Sequence, residues 1–168
     1  MERVGQLLRD AVDRATPMLT AMSDDAARAP WKEGAWTRKQ LLGHLVDSAS
    51  NNHGRFVRAQ FSTDLVFPGY EQERWVEMQR YADAPWSSLI ALWREFNLHI
   101  ARVMDATPPD VATRQRPRHN LDVIAWQSVA ADKPATLEYF MRDYIGHLEH
   151  HLGQLLPDYV GVTSGKRT

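Results

Sequence analysis

Four stretches of this chain repeat apolar residues at i, i+3 and i+4, and no stretch alternates convincingly between apolar and polar. A 3.6-residue period buries one stripe of a helix and leaves the rest wet, so each stretch needs other helices to cover it. Val4, Leu7, Leu8, Ala11, Val12, Ala15 and Leu19 predict a first helix near 2–22. Thr37 with Gln40 forms a capping box, in which hydroxyl and amide satisfy orphan backbone N–H groups. It opens a second helix near 37–60 that carries Leu41, His44, Leu45, Ser48, Asn52 and Phe56 on one face. Leu89, Leu92, Trp93, Phe96, Ile100 and Val103 follow Pro85 and predict a third helix near 86–106. Leu137, Phe140, Met141, Tyr144, His147, Leu148, His151, Leu152 and Leu155 predict a fourth near 136–156. The best short-strand candidate is "LDVIAW", Leu121 to Trp126.

Four such helices imply an all-α fold, a four-helix bundle, read as one domain over 1–168. The connections at Phe61–Pro85 and Thr107–Pro134 are long enough for crossovers, so a simple up-down-up-down order is not required. Loops of this length in a compact domain are often functional.

Several function classes drop out on composition. The formal net charge is −1, which offers no electrostatic argument for nucleic acid or an anionic membrane. With no cysteine, disulfides, thiolate metal sites and cysteine nucleophiles are excluded. The start, "MERVGQLLRDAVDRATP", has the amphipathic pattern of a helix rather than a signal peptide, and no apolar run approaches a bilayer span. A cytoplasmic protein is expected.

The histidines are distributed unevenly. Three of the seven fall in "HLEHHLGQL" as His147, His150 and His151. His147 and His151 are four apart on the apolar face of a helix, so their imidazoles stack on one side. Two imidazoles buried side by side are costly without a shared partner, and a metal ion supplies one. His150 falls off that face and is expected to be exposed or to support the ligands. Catalytic zinc-type sites take three protein ligands plus water. His44, between Leu41 and Leu45, is the first choice for the third, with His99 as its rival; His53 and His119 look peripheral. Asp47 and Asp143 lie within a turn of a proposed ligand and are candidates to orient an imidazole. Asn51 and Arg55 are substrate candidates, although a solvated helix flank is the plainer reading for both, as it is for Arg58 and Arg74. "RPRHN" reads as a basic loop able to meet an anionic substrate.

Three elements together resemble a known family. They are a Trp-Thr helix start leading to His-x-x-Asp-Ser (Trp36 to Ser48), a Pro-x-Tyr-x-x-x-x-Trp connection (Pro68 to Trp75), and the H-x-x-H-H ending (His147 to His151). In this order and spacing they resemble the DinB-like superfamily, in particular the YfiT-type branch of metal-dependent hydrolases, which is related to the bacillithiol S-transferases. The resemblance implies a bundle with up-down-down-up topology and a homodimer. It also implies one divalent metal, nickel or zinc, held by His44, His147 and His151 with water completing the shell. Gly43 and Gln154 depart from the branch, which often carries further histidines there; neither is a matched ligand.

A +2 ion held by neutral imidazoles lowers the pKa of a bound water or thiol. The expected function is therefore a metal-dependent enzyme acting on a small molecule, either as a hydrolase or as an S-transferase using a low-molecular-weight thiol. No residue is singled out as catalytic. "PGYEQERW" and "RPRHN" are expected at the mouth of the site, with Tyr70 and Trp75 as its aromatic walls or as anchors for the connection. The competing class is a non-enzymatic metal-binding or stress-associated protein with a closed structural site, His99 being the first suspect for a fourth ligand.

Overall fold

The computed structural model describes residues 3–163, so the expected start of the first helix at Glu2 and both ends of the 1–168 domain lie outside the described residues. The four long helices are α1 (Val4–Ala21), α3 (Arg38–Ala59), α5 (Trp86–Ala106) and α8 (Leu137–Leu155). Short helices fill the links: α2 (Asp24–Ala27), α4 (Gln72–Met78), α6 (Pro109–Thr113) and α7 (Leu121–Ile124), with a 3₁₀ turn at Tyr81–Asp83. No helix among the described residues is long and apolar enough to cross a membrane.

Local chemistry sets where the long helices begin. The Thr37 hydroxyl accepts from Gln40 N, and the Gln40 side chain accepts from Thr37 N, so both halves of the capping box are formed at the start of α3. Thr136 caps α8 by accepting from Tyr139 N. Replacing Thr37 with alanine is expected to lower unfolding stability by about 1 kcal/mol, as measured by urea denaturation; a change indistinguishable from zero would mean that packing alone holds the start of α3.

Contacts between helices give their directions. α1 runs antiparallel to α5: Arg9 near its start pairs with Asp105 at the far end of α5, and Trp86 at the start of α5 donates to the Leu19 carbonyl. α3 runs parallel to α5, since Lys39 reaches the Ala84 carbonyl just before α5 and His53 meets Phe96 and His99 further along. α8 runs antiparallel to α3, since Phe56 meets Phe140 while His44 meets His151. The order is therefore up-down-down-up. A parallel α3–α5 pair forces the chain to travel back along the bundle, which is why the connection between them is long.

The apolar stripes meet in one core. Leu8, Val12 and Leu19 of α1, Leu42, Leu45 and Phe56 of α3, Trp93 and Ile100 of α5, and Phe140, Leu148 and Leu152 of α8 are all fully buried. One polar contact crosses it: Tyr144 donates to Asn97 Oδ1, so neither buried group is left unpaired.

The two long connections are stitched together, and this corrects three expectations. Leu65 N donates to the Arg118 carbonyl, and Asn120 N donates to the Leu65 carbonyl. The Asn120 side chain both donates to and accepts from the Phe67 backbone. "RPRHN" is thus not a free basic loop at a mouth. Arg116 is buried and donates to the Ala59 carbonyl, His119 is buried against the Lys133 carbonyl, and Arg118 pairs with Asp64 at the surface. His119 is accordingly structural rather than peripheral. "LDVIAW" is not a strand, because the backbone pairing is spent at 118–120. Val123 N and Ile124 N then turn back to the Asn120 carbonyl, giving the single helical turn α7.

Candidate metal centre

α3 presents His44, Ser48, Asn52 and Arg55 on its face toward α8, at intervals of four, four and three. α8 answers with Phe140, Tyr144, His147 and His151 at the same kind of interval. Where the helices cross, three histidines converge. The ring centroids of His44 and His147 are 5.4 Å apart, those of His44 and His151 5.0 Å, and those of His147 and His151 4.6 Å. One nitrogen from each lies within 4.8 Å of the others, close enough to share an ion.

The donor set fits a divalent metal. Burial, helped by the neighbouring imidazoles, pushes His44 down to about 4 and His147 down to about 3, and burial also lowers His151. All three are therefore neutral at pH 7, with lone pairs available. His151 Nδ1 lies 2.7 Å from Gln154 Oε1. An amide oxygen only accepts, so Nδ1 carries the proton and Nε2 is left as the metal donor. Ser48 Oγ is 3.5 Å from His147 Nδ1, a long contact. His44 Nδ1 is buried with no hydrogen-bond partner, an unmet need that a metal-bound imidazole commonly fills with an outer partner or with the ion itself. His44 packs under Trp36, which closes the site on that side.

Gln154, one of the two departures from the resembled branch, belongs to the site through His151. Its place three residues after His151, on the same helix face, was the available signal. Its amide also donates to His150 Nε2 at 3.2 Å, so it links both histidines. Replacing Gln154 with alanine is expected to weaken metal affinity roughly 10–100-fold without abolishing binding; chelator competition measures this, and an unchanged affinity would remove Gln154 from the site.

The other expected site residues are placed variously. Asp143 does not orient an imidazole. Its two oxygens accept the backbone N–H groups of Trp126 and Gln127, at 2.9 and 2.7 Å, and so pin the segment after α7 against α8. Asp47 accepts instead from the Tyr81 hydroxyl and the Gln79 amide at 2.6 and 2.5 Å, and its second oxygen is buried without a partner. Burial pushes the carboxyls of both Asp47 and Asp143 up. Asn51 turns back onto the Asp47 carbonyl, and Asn52 takes the cavity-facing place. Arg55 is not a solvated flank but is 4% exposed. His150 is exposed at the cavity rim, 5.4 Å from the Trp126 ring. Tyr70 lines the cavity, whereas Trp75 is half-exposed behind it, at 5.2 Å, and lies away from the cavity. His99 is exposed beside His53 on the α3–α5 side and does not join the cluster.

Two of the three clustered histidines, His147 and His151, open onto a cavity of about 350 Å³ between α3, α8, the Tyr70 connection and the α7 segment, with His44 buried behind them. Trp126, which the strand expectation for its stretch gave no place in a site, forms part of the cavity wall.

A model of the DinB superfamily matches residues 7–155. The chain belongs to the DinB superfamily. It is 26% identical over 92 residues to YfiT of Bacillus subtilis strain 168, a proposed metal-dependent hydrolase, with 55% of this chain and 52% of that protein covered. A Bacillus mycoides relative of the same description is 27% identical over 86 residues, covering 45% of this chain and 50% of that protein. The chain thus spans about half the length of the curated relatives it matches. The solved YfiT structure, described as a four-helix bundle of unusual topology, superposes with a TM-score of 0.73 at 21% identity, over 90% of this chain and 81% of that one. The mycothiol-dependent maleylpyruvate isomerase superposes with a TM-score of 0.59 at 13% identity, over 86% of this chain and 57% of that one. Both likenesses establish the fold.

Proposed function

We propose that this DinB-superfamily chain is a metal-dependent enzyme: His44, His147 and His151 hold one divalent ion, zinc or nickel, and a small electrophile reacts beside it. The observation that carries this reading is the open side of the histidine cluster. Three neutral donors converge, the cavity reaches His147 and His151, and among the described residues no fourth histidine or carboxylate joins the set. A structural site would be closed by a fourth protein ligand. Imidazole donors suit zinc and nickel, and the ion, when bound, supplies the Lewis acidity that lowers the pKa of a water or thiol.

The chain's own residues supply binding and exclusion of water. Phe140, Tyr144 and Trp126 supply the apolar part of a lining that is otherwise largely polar. Burial and the Asp47 charge push the Tyr70 hydroxyl up, so it stays protonated and can donate to substrate.

The names of the bacillus relatives support hydrolysis. A second reading, S-transfer from a low-molecular-weight thiol, is favoured by the state of the carboxylates. Asp143 is saturated by backbone N–H groups, Asp47 does not line the cavity and His150 Nε2 already accepts from Gln154, which leaves solvent as the proton acceptor. A thiol, with an ordinary pKa of about 8.5, asks far less of such an acceptor than water does. The chain has no cysteine, so that thiol would arrive as a cosubstrate. The structural likeness to a mycothiol-dependent enzyme points the same way.

The test is to load the protein with zinc or nickel and to offer a haloarene with and without bacillithiol, mycothiol or glutathione, alongside an ester panel. Thiol-dependent conjugation lost in His44→Ala supports transfer. Thiol-independent ester cleavage lost in His44→Ala supports hydrolysis. Stoichiometric metal with neither activity would favour the binding-protein class.

A further inference from the structure

Arg55 shares the cavity with the histidines, and the chemistry proposed above gives it no role. It lies three turns along α3 from His44 and is 4% exposed. Its guanidinium is held in place by two neutral acceptors, Asn52 Oδ1 at 3.3 Å and the Pro68 carbonyl at 2.8 Å. A guanidinium has five N–H groups and stays charged under all ordinary conditions, so three of them are unspent on the protein. Among the described residues Arg55 forms no ion pair: Asp24, Asp64, Asp83, Asp105, Asp110 and the paired glutamates all serve other cations. Burying a charge without a counter-charge is expensive unless something else supplies one.

The rest of the lining supplies none. Among the described residues Asp143 is the one carboxylate that borders the cavity, and its two oxygens are taken by the Trp126 and Gln127 amides. Tyr70, Gln72, Ser48 and Asn52 are neutral, and Arg58, one turn beyond, adds to the positive field felt by Arg55. Arg116 makes an instructive contrast. It is equally buried and also donates to carbonyls, but it lies away from the cavity and braces the two connections. Arg55 differs in facing space that a ligand can enter.

We propose that Arg55 is the anion-binding residue of this cavity, and that the substrate or cosubstrate carries a carboxylate that pairs with its unspent N–H groups. The planar fork of a guanidinium matches a carboxylate with two parallel hydrogen bonds, and the Asn52 and Pro68 contacts fix that fork in advance. Ser48, beside His147, and Arg55 are seven residues apart, on the order of 10 Å along the helix axis. The carboxylate therefore sits several bonds from the reacting atom. This deepens the proposed function and rests on it for the reacting end; anion binding itself does not require the metal.

The test uses the full chain, with and without zinc, in calorimetric titrations at constant ionic strength. The probes are glutarate and its neutral isostere glutaramide. Glutarate should bind at least about tenfold more tightly than glutaramide. Arg55→Lys should weaken glutarate at least about tenfold, because a point charge replaces the fork, and Arg55→Met should weaken it further, with zinc content stoichiometric in both. In His147→Ala, glutarate binding should persist. Equal binding of glutarate and glutaramide by the unaltered protein overturns the inference without recourse to any variant. So does glutarate binding that survives in Arg55→Lys but disappears in His147→Ala, which would put the carboxylate on the metal site. Tighter, Arg55-dependent binding of methylphosphonate than of glutarate would overturn the carboxylate in favour of a phosphate-like group. A protein that holds no zinc yet binds glutarate through Arg55 would sink the proposed enzyme and leave this inference standing.

Discussion

Alanine at His147 is expected to leave the protein without stoichiometric metal. The imidazole is one of three donors in a cluster whose nitrogens lie within 4.8 Å of one another, and among the described residues no further histidine or carboxylate joins that cluster. Structural zinc sites with four ligands yield about 10–16 kcal/mol, or roughly 2.5–4 kcal/mol per ligand. Losing one of three should therefore weaken binding on the order of several hundredfold. Elemental analysis after gel filtration would then find little metal in His147→Ala, and the same in His44→Ala and His151→Ala. His150→Ala is the informative control. Its ring is only a residue away in sequence, but it faces the rim and Trp126, so metal should remain near stoichiometric. Equal loss in His150→Ala and His147→Ala would mean that the ion is held by a different set from the one the geometry brings together. A stability scan adds a second readout. Removing one of three crowded, buried imidazoles should not unfold the metal-free protein, because burial already disfavours their charged forms. A variant that loses both metal and fold would point to a packing role instead.

The parts of this fold that local spacing encodes were legible in the chain. The apolar periods of all four long helices, and the Thr37–Gln40 capping box, depend on residues three and four apart, and the structure ends the helices within a residue or two of the expected places. The histidines that converge are those whose helical phase put them on apolar faces. What the sequence could not disclose depends on partners far along the chain. Asp143 has the right spacing to support His147, but it is claimed by backbone amides at 126 and 127. Arg55 looks like a solvated flank until the Pro68 carbonyl comes to rest on it. "RPRHN" looks like a basic loop until backbone pairing with Leu65 and Ala135 draws Arg116 and His119 inward. Charge and side-chain period say nothing about which backbone groups another segment will need to satisfy. Trp75 was expected with Tyr70 as a wall of the site or an anchor of the connection; its ring lies 5.2 Å from that of Tyr70, but the connection turns it away from the cavity.

Alanine at Gly43 is expected to be the most destabilising single-methyl change in α3. A Cβ there would lie 2.1 and 2.2 Å from Cδ2 and Cγ of the Tyr81 ring, well inside any real contact. The ring cannot easily step aside: Tyr81 is buried, and its hydroxyl donates to Asp47 Oδ1 at 2.6 Å. Moving it would overpack the α3 face, at about 1–3 kcal/mol. It would also strip a donor from a buried carboxyl, at about 1.5–3 kcal/mol. Alanine's better helix propensity returns only about 0.5–1 kcal/mol. The net loss is therefore roughly 2–5 kcal/mol, or a fall in Tm on the order of 10 °C for a chain of this size. Gly153→Ala separates the clash from the propensity, since nothing lies within 4 Å of a Cβ at that position. It should gain the propensity term alone and raise Tm slightly. The clash can also be isolated by a double-mutant cycle: in a Tyr81→Ala background, Gly43→Ala should cost little, because the ring it meets is gone. If Gly43→Ala is as harmless as Gly153→Ala, the Tyr81 ring is not held against α3 as the structure has it. The same contact accounts for the departure at position 43 from the branch that often carries a histidine there. With Tyr81 lying over that helix turn and bound to Asp47, no side chain fits at Gly43, and the histidines that could share a metal come from His44 and α8 alone.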